Sequence, residues 1–428
     1  MEKLVENHLG KLLYNGYDLF SLAKKYSTPL KVTFLDVIRA RVTELKECFD
    51  KAIEENGYEG KFIYLNANKA NYSSLEIETA FLAGDGLETS SNYDLLYTES
   101  VYKKFNETKK PIVCNGYKDE NYLENIIRIS KERVIIDIID SLEEYNYLKS
   151  RNVKLEVGIR LHMSSLYEEH DDRFGITKEE FKYIIEDIQN TNLTLTTIHF
   201  HQRGFDYIES KFLENISIAF EYYCQAKTKV DSVCNFDMGG GTPLPTDYSF
   251  DYYSWAQLVI RHLLSICVAH NVKVPNLLSE NGKYSQKDST VNIYKVCAVK
   301  ATTKDYPWYL VDGSLLIAMP EYYALGEPIK VTPISNLGKQ MIKARLGGIT
   351  CDCDDVYQES NGYMMLPKDT KDLYIALLGT GSYQNSMNGK RGVHHCLLPE
   401  EKDVVISNGK EYVRHDIQDI KEIIELMK

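Results

Sequence analysis

Residues 62–71 read Phe-Ile-Tyr-Leu-Asn-Ala-Asn-Lys-Ala-Asn, a short apolar run that ends in a polar turn carrying one lysine, Lys69. A run this short, rich in aromatic and β-branched residues, reads as a buried strand rather than a helix. The same unit recurs along the chain. Runs at Gly86–Thr89, Ile112–Cys114, Val134–Ile139, Leu155–Leu161, Leu193–Phe200, Val233–Met238 and Val274–Leu278 each end in polar or glycine residues. Helix-like stretches fill the gaps, among them Asp119–Ser130, Lys178–Ile188, Glu209–Lys227 and Tyr253–His270. Eight strands alternating with helices predict an α/β chain built on a parallel (β/α)8 barrel over residues 35–280.

On either side the pattern changes. Leu19–Lys25 reads as helix, Pro29–Phe34 as extended chain, and the following stretch to Glu55 as helix again. From Asn292 onward strand-like runs come at close spacing between Gly, Pro and Asp turns: NIYKVCAV, PWYLVDG, PIKVTPI, GYMMLP and DLYIALL. In VVISNGKEYV the pair Asn408-Gly409 sits between two such runs, a strong hairpin signal. Residues 1–34 and 281–428 therefore predict a second, antiparallel β domain.

Bulk properties narrow the function classes. The 428 residues suit two domains, and 43% hydrophobic with 26% charged residues is the balance of a globular chain. A net charge of -12 argues against nucleic acid or an anionic membrane surface as partner. No apolar run approaches the ~20 residues that cross a bilayer, and the N-terminus has no signal-peptide pattern. Nine cysteines without CxxC spacing point to free thiols and a cytoplasmic location.

In a (β/α)8 barrel, chemistry sits at the C-terminal ends of the strands. Here those ends carry Asn68-Lys69-Ala70-Asn71, Glu88, Asn115, Arg160, His199 with His201, Gly239-Gly240-Gly241, and Glu280-Asn281-Gly282-Lys283. Each alone is what a solvated loop, a structural histidine or a flexible turn would also give. Their convergence on one face is harder to explain that way. Together they meet the needs of pyridoxal 5'-phosphate. Lys69 supplies an amine for a Schiff base. Gly239, Gly240 and Gly241 supply close-approaching N–H groups for a phosphate. Glu280 supplies a buried carboxylate to keep the pyridine nitrogen protonated, and His201 a flat group against the ring.

These residues resemble those of the fold-type III pyridoxal-phosphate decarboxylases, which include ornithine, diaminopimelate and biosynthetic arginine decarboxylases and are related to alanine racemase. The likeness runs from Ser27-Thr28-Pro29-Leu30 to the region of Tyr383. Gly86-Leu87-Glu88, Cys114-Asn115-Gly116-Tyr117-Lys118-Asp119 and His199-Phe200-His201 look most like the arginine decarboxylase branch. The resemblance implies decarboxylation of a basic amino acid, arginine or a related cation such as ornithine, lysine or a carboxy-polyamine. It implies that Lys69, Glu88, Arg160, His201, the three glycines, Glu280, Gly282, Lys283 and Tyr383 hold the cofactor.

Thr350-Cys351-Asp352-Cys353-Asp354-Asp355 is similar to the family's Thr-Cys-Asp segment. By that likeness Cys351 is the proton donor, delivered to the neighbouring subunit's site, and Asp352 contacts substrate, with Asp354 and Asp355 as helpers. A two-fold homodimer follows. No metal is implied; the plain reading of CDCDD is an acidic surface loop or a weak metal site. Three departures stand out: Lys283 replaces the family's usual Arg, Arg203-Gly204-Phe205 replaces Gly-Ser-Gln, and the chain is shorter than bacterial arginine decarboxylases. The competing readings are an amino-acid racemase, which in this fold uses a Tyr where this chain presents Cys351, and an inactive regulatory relative.

Overall fold

The computed structural model describes residues 4–8, 10–163, 173–201, 209–244, 249–301, 306–327, 329–357 and 362–428. The chain divides into two compact units. One comprises Arg41–Lys69 and Ile77–Tyr284; the other comprises Met1–Ala40, Ala70–Glu76 and Ser285–Lys428.

The first unit is a closed barrel of eight parallel strands in sequential order. They are β1 (Phe62–Ala67), β2 (Gly86–Thr89), β3 (Ile112–Cys114), β4 (Ile135–Ile139), β5 (Leu155–Arg160), β6 (Leu193–His199), β7 (Asn235–Asp237) and β8 (Asn276–Asn281). β8 closes onto β1 with Glu280 opposite Leu65 and Asn281 opposite Asn66. Leu65, Val113, Ile136, Ile138 and Leu278 meet as one apolar cluster, all buried. Leu65, Val113, Ile136 and Leu278 come from four different strands, which is how a small barrel fills its own interior.

Polar residues at strand exits start the helices. Asp119 accepts from the Tyr122 N–H and caps Glu120–Ile129, and Ser141 caps Leu142–Arg151. Thr177 and Glu180 form a capping box for Lys178–Asp187. The apolar stripe of Glu120–Ile129 puts Tyr122, Leu123, Ile126, Ile127 and Ile129 inside. Just before that helix Lys118, with no side-chain exposure, pairs with Glu144 (2.8 Å) and Asp137 (3.2 Å). A buried cation of this kind persists only with its counter-charges in place.

The second unit is a ten-stranded sheet plus a small three-stranded one. Its long central strand, Thr290–Lys300, pairs antiparallel with Leu30–Phe34, Trp308–Val311 and Tyr374–Leu378. The predicted Asn408-Gly409 turn joins Lys402–Ser407 to Lys410–His415 with Ser407 opposite Lys410. The sheet is mostly antiparallel, with two parallel pairings: Leu30–Phe34 with Lys402–Ser407, and Trp308–Val311 with Met341–Gly347. These pairings join segments far apart in sequence, where no turn signal fixes direction. Its core gathers Tyr294, Tyr309, Leu346, Leu366, Ile375 and Leu377. No helix among the described residues is long and apolar enough to cross a membrane.

Candidate active site at the barrel rim

The last residues of the barrel strands bring most of the predicted site together. Lys69 lies in the short helical turn Asn68–Ala70 directly after β1. Its Nζ stands 3.0 Å from Oε2 of Glu88, which is wholly buried in β2. Asn115, one residue past β3, donates from Nδ2 to Glu88 Oε1 (3.0 Å) and to Glu280 Oε1 (2.6 Å). His199, the last residue of β6, holds Nε2 3.5 Å from Glu280 Oε2. Two buried carboxylates are thus bridged by one amide and faced by an ammonium and an imidazole.

The charges follow from that packing. Burial by itself would raise the Glu280 carboxyl; His199, Lys69 and the Asn115 hydrogen bond outweigh it and hold the group well below the usual carboxylate range. Asp237, at the end of β7, goes the other way. Burial, and then the charge of Glu280, push its carboxyl well above the ordinary value. Its Oδ1 accepts the Gly239 N–H at 2.9 Å. The half-buried His201 ring is pushed down to about 3 by burial and by the charges of Lys69 and Arg160. It is therefore neutral at working pH, and its Nδ1 accepts the Gly240 N–H at 3.2 Å, leaving the proton on Nε2.

The glycine run is a cradle that a side chain would fill. Gly239 has φ +62°, and a Cβ there would stand 2.6 Å from the Phe200 carbonyl oxygen. At Gly240 a Cβ would stand 2.9 Å from the Glu280 carbonyl oxygen. Gly241 has φ +94°. Backbone can approach a ligand at these positions only because they are glycine. Gly282 and Lys283 follow β8 directly; Lys283 opens a one-turn helix, and its amine is buried. Arg160 ends β5 with its guanidinium 4.4 Å over the Phe174 ring and 3.7 Å from Asp140. Arg203, Gly204 and Phe205 lie outside the described residues.

Asn115, His199 and Asp237 are the site's supporting residues; of these only Asp237 is not among the predicted strand-end residues, because the run Val233–Met238 places it inside the strand that in fact ends on it. Asp94 supports the lysine turn. It accepts from Asn68 Nδ2 (3.1 Å) and from the Ser90 N–H (3.0 Å). Burial, then the charge of Glu88, raise its carboxyl to about 7. The folded chain then keeps a proton that the unfolded chain releases near pH 4, so stability falls as pH rises from about 4 to about 7. Asp94→Asn is expected to flatten that slope by roughly 2–4 kcal/mol, measured as melting temperature at pH 5 and pH 8.

In the sheet unit, Thr350–Asp355 forms a loop between the strands Met341–Gly347 and Val356–Tyr357. Asp355, expected to help bind substrate, instead turns inward. It is 2% exposed and accepts from the backbone N–H groups of Leu315, Leu316 and Thr350 at 2.8, 3.0 and 3.1 Å, and from the Thr350 hydroxyl at 2.7 Å. With its oxygens committed to the scaffold, it anchors the loop. Asp355→Ala leaves those donors unpaired and is expected to lower stability by about 3 kcal/mol, read from a denaturant midpoint. Asp352 and Asp354 remain the loop's outward carboxylates; Asp352 Oδ2 lies 3.2 Å from His395 Nε2. Cys351 is exposed. Tyr383 follows Tyr374–Leu378 with φ +60°, and its N–H donates to the Ala70 carbonyl at 2.7 Å.

An amine, an ionised buried carboxylate and a glycine cradle lie on one barrel rim, and that donor set fits pyridoxal phosphate. Residues 35–286 match the family described as pyridoxal-dependent decarboxylase, pyridoxal binding domain. The chain belongs to that family, whose cofactor is pyridoxal phosphate. It is 25% identical over 305 residues to the biosynthetic arginine decarboxylase of Prochlorococcus marinus, covering 64% of this chain and 46% of that one. It is 23% identical over 333 residues to the chloroplastic arginine decarboxylase 1A of Nicotiana tabacum, covering 68% and 45%. The chain spans about half the length of these relatives. Among solved structures, diaminopimelate decarboxylase from M. jannaschii with L-lysine superposes with a TM-score of 0.84 at 20% identity, covering 99% and 97% of the two chains. The biosynthetic arginine decarboxylase of Campylobacter jejuni gives 0.83 at 17% identity, covering 100% and 89%.

Proposed function

We propose that this chain decarboxylates a basic amino acid, arginine or a related cation such as ornithine, lysine or a carboxy-polyamine, to the amine and CO2. The observation that carries the reading is Glu280, buried yet held ionised beside Asn115, His199 and Lys69. A carboxylate in that state keeps a pyridine nitrogen protonated. When bound, pyridoxal phosphate supplies an aldehyde for the substrate amine and a ring that accepts the electron pair left by departing CO2.

The chain's own residues do the rest. Lys69 would hold the cofactor through its amine, which Glu88 orients at 3.0 Å. Neutral His201 would face the ring without adding charge. The glycine cradle at Gly239, Gly240 and Gly241, together with Gly282 and Lys283, would receive the phosphate; Lys283 acts as a point charge where an Arg would offer a fork. Arg160 borders the cofactor face. Cys351 of a second copy gives a proton to the carbon that lost CO2, and Asp352 and Asp354 attract the distal cation. That division of labour calls for a homodimer. Nine free thiols suit a reducing cytoplasm, and the amine products are those of polyamine synthesis.

The test is to incubate cofactor-loaded protein with arginine, ornithine, lysine, carboxy-polyamines and diaminopimelate, and to measure CO2 and enantiomer composition. Release of CO2 from a cationic substrate is expected. Inversion without CO2 makes it a racemase, and neither product overturns both enzyme readings.

A further inference from the structure

Cys351 has a partner that the reaction does not use. Its Sγ lies 3.6 Å from Sγ of Cys396, which comes from a different segment of the sheet unit, and both residues are exposed. The two segments are held in register. Asp355 pins the Thr350–Asp355 loop from inside. His395, next to Cys396, reaches Asp352, next to Cys351, at 3.2 Å. Cys396 and Leu397 both have φ +56°, in the one-turn helix His395–Leu397. Left-handed backbone at two successive residues with side chains costs on the order of 1–3 kcal/mol each, and here it brings the Cys396 sulfur to Cys351.

We propose that Cys351 and Cys396 form a reversible disulfide that switches the enzyme off by removing the thiol of Cys351. The consequence for activity rests on the reading of Cys351 as proton donor. A peroxide is the oxidant. One thiolate attacks a peroxide oxygen and breaks the O–O bond, leaving a sulfenic acid and one water. The second thiol attacks that sulfur, the S–S bond forms, and a second water leaves. Two thiols thus lose two electrons and two protons, and hydrogen peroxide is reduced to two waters. The sulfurs must close from 3.6 Å to the bonded distance of about 2.0 Å. An exposed link on strained backbone is the kind that cellular thiols reduce by exchange. The switch is therefore reversible in a reducing compartment. Of the remaining cysteines, Cys114, Cys224 and Cys267 are buried, and the exposed Cys353 has the Asp354 carboxylate rather than a second sulfur beside it.

The experiment treats the holoenzyme with hydrogen peroxide, digests it without reductant, and maps disulfides by mass spectrometry while CO2 release is followed. A Cys351–Cys396 peptide pair is expected in wild type and in Cys353→Ser, and none in Cys396→Ser. At full oxidation CO2 release is expected to fall roughly a hundredfold and to return with dithiothreitol; reduced Cys396→Ser keeps wild-type activity. Activity lost to peroxide with no such peptide pair overturns the proposal, as does a zinc ion found bound to the pair and blocking its oxidation. A linked pair in protein whose reduced form releases no CO2 from any substrate counts against the decarboxylase reading and not against the disulfide.

Discussion

Replacing Lys69 with alanine is expected to cut CO2 release by roughly a thousandfold or more and to abolish the cofactor's absorbance band. On the proposed reading the Lys69 amine, beside Glu88, is the group that holds the aldehyde covalently. The loss is not a folding defect. Glu88, wholly buried, also accepts from Asn115 Nδ2 at 3.0 Å and from the Ser90 hydroxyl at 3.4 Å, contacts that do not involve the ammonium. Lys69 itself is 38% exposed in its side chain, so its truncation removes little packing. Circular dichroism and melting temperature should stay close to wild type while both band and activity vanish. A variant that keeps the band would place the cofactor elsewhere.

The second large effect belongs to Glu280. Glu280→Gln keeps the shape and removes the charge, and is expected to lower CO2 release by a factor of roughly 100–1000. Asn115 at 2.6 Å and His199 at 3.5 Å favour the ionised carboxylate over any neutral group at that place. A neutral amide no longer keeps a ring nitrogen protonated, so the cofactor spectrum should change along with the rate. The substitution also relieves Asp237, whose carboxyl is pushed up first by burial and then by Glu280. Losing that neighbouring charge should move the Asp237 titration back down, visible as a shift in the acid limb of the pH–stability curve. Because the Glu280 carboxyl is depressed in the folded state, its contribution to stability is present at neutral pH and lost on acidification, and the variant should lack that loss.

Much of this was legible in the chain. All eight barrel strands fall where short apolar runs end in polar residues, and every cofactor residue predicted on the barrel sits at a strand's C-terminal end. The Asn408-Gly409 hairpin was equally plain because its turn residues select one backbone geometry. What stayed hidden depends on distance in space. Asp237 lies within the predicted run Val233–Met238 although β7 ends on it, and only the barrel brings it beside Glu280. Met341–Gly347 reads MIKARLG, in which Lys343 and Arg345 mask the strand. Three aspartates in Thr350–Asp355 look alike in sequence, and only the fold turns Asp355 inward while Asp352 and Asp354 face out.

The order of synthesis gives Lys31 a further part. Leu30–Phe34 is among the first strands made, yet both its neighbours, Thr290–Lys300 and Lys402–Ser407, come far later. Until then Leu-Lys-Val-Thr-Phe has two open edges and an apolar sequence, the makings of a sticky segment in a nascent chain. Lys31 stands in its middle, and in the finished unit its amine is buried 3.5 Å from Asp403 and 3.7 Å from Glu400. Those carboxylates arrive with the last neighbour strand. Before that, the lone ammonium makes any wrong pairing bury an unmatched charge. The same lysine that locks the finished sheet guards the strand while it waits.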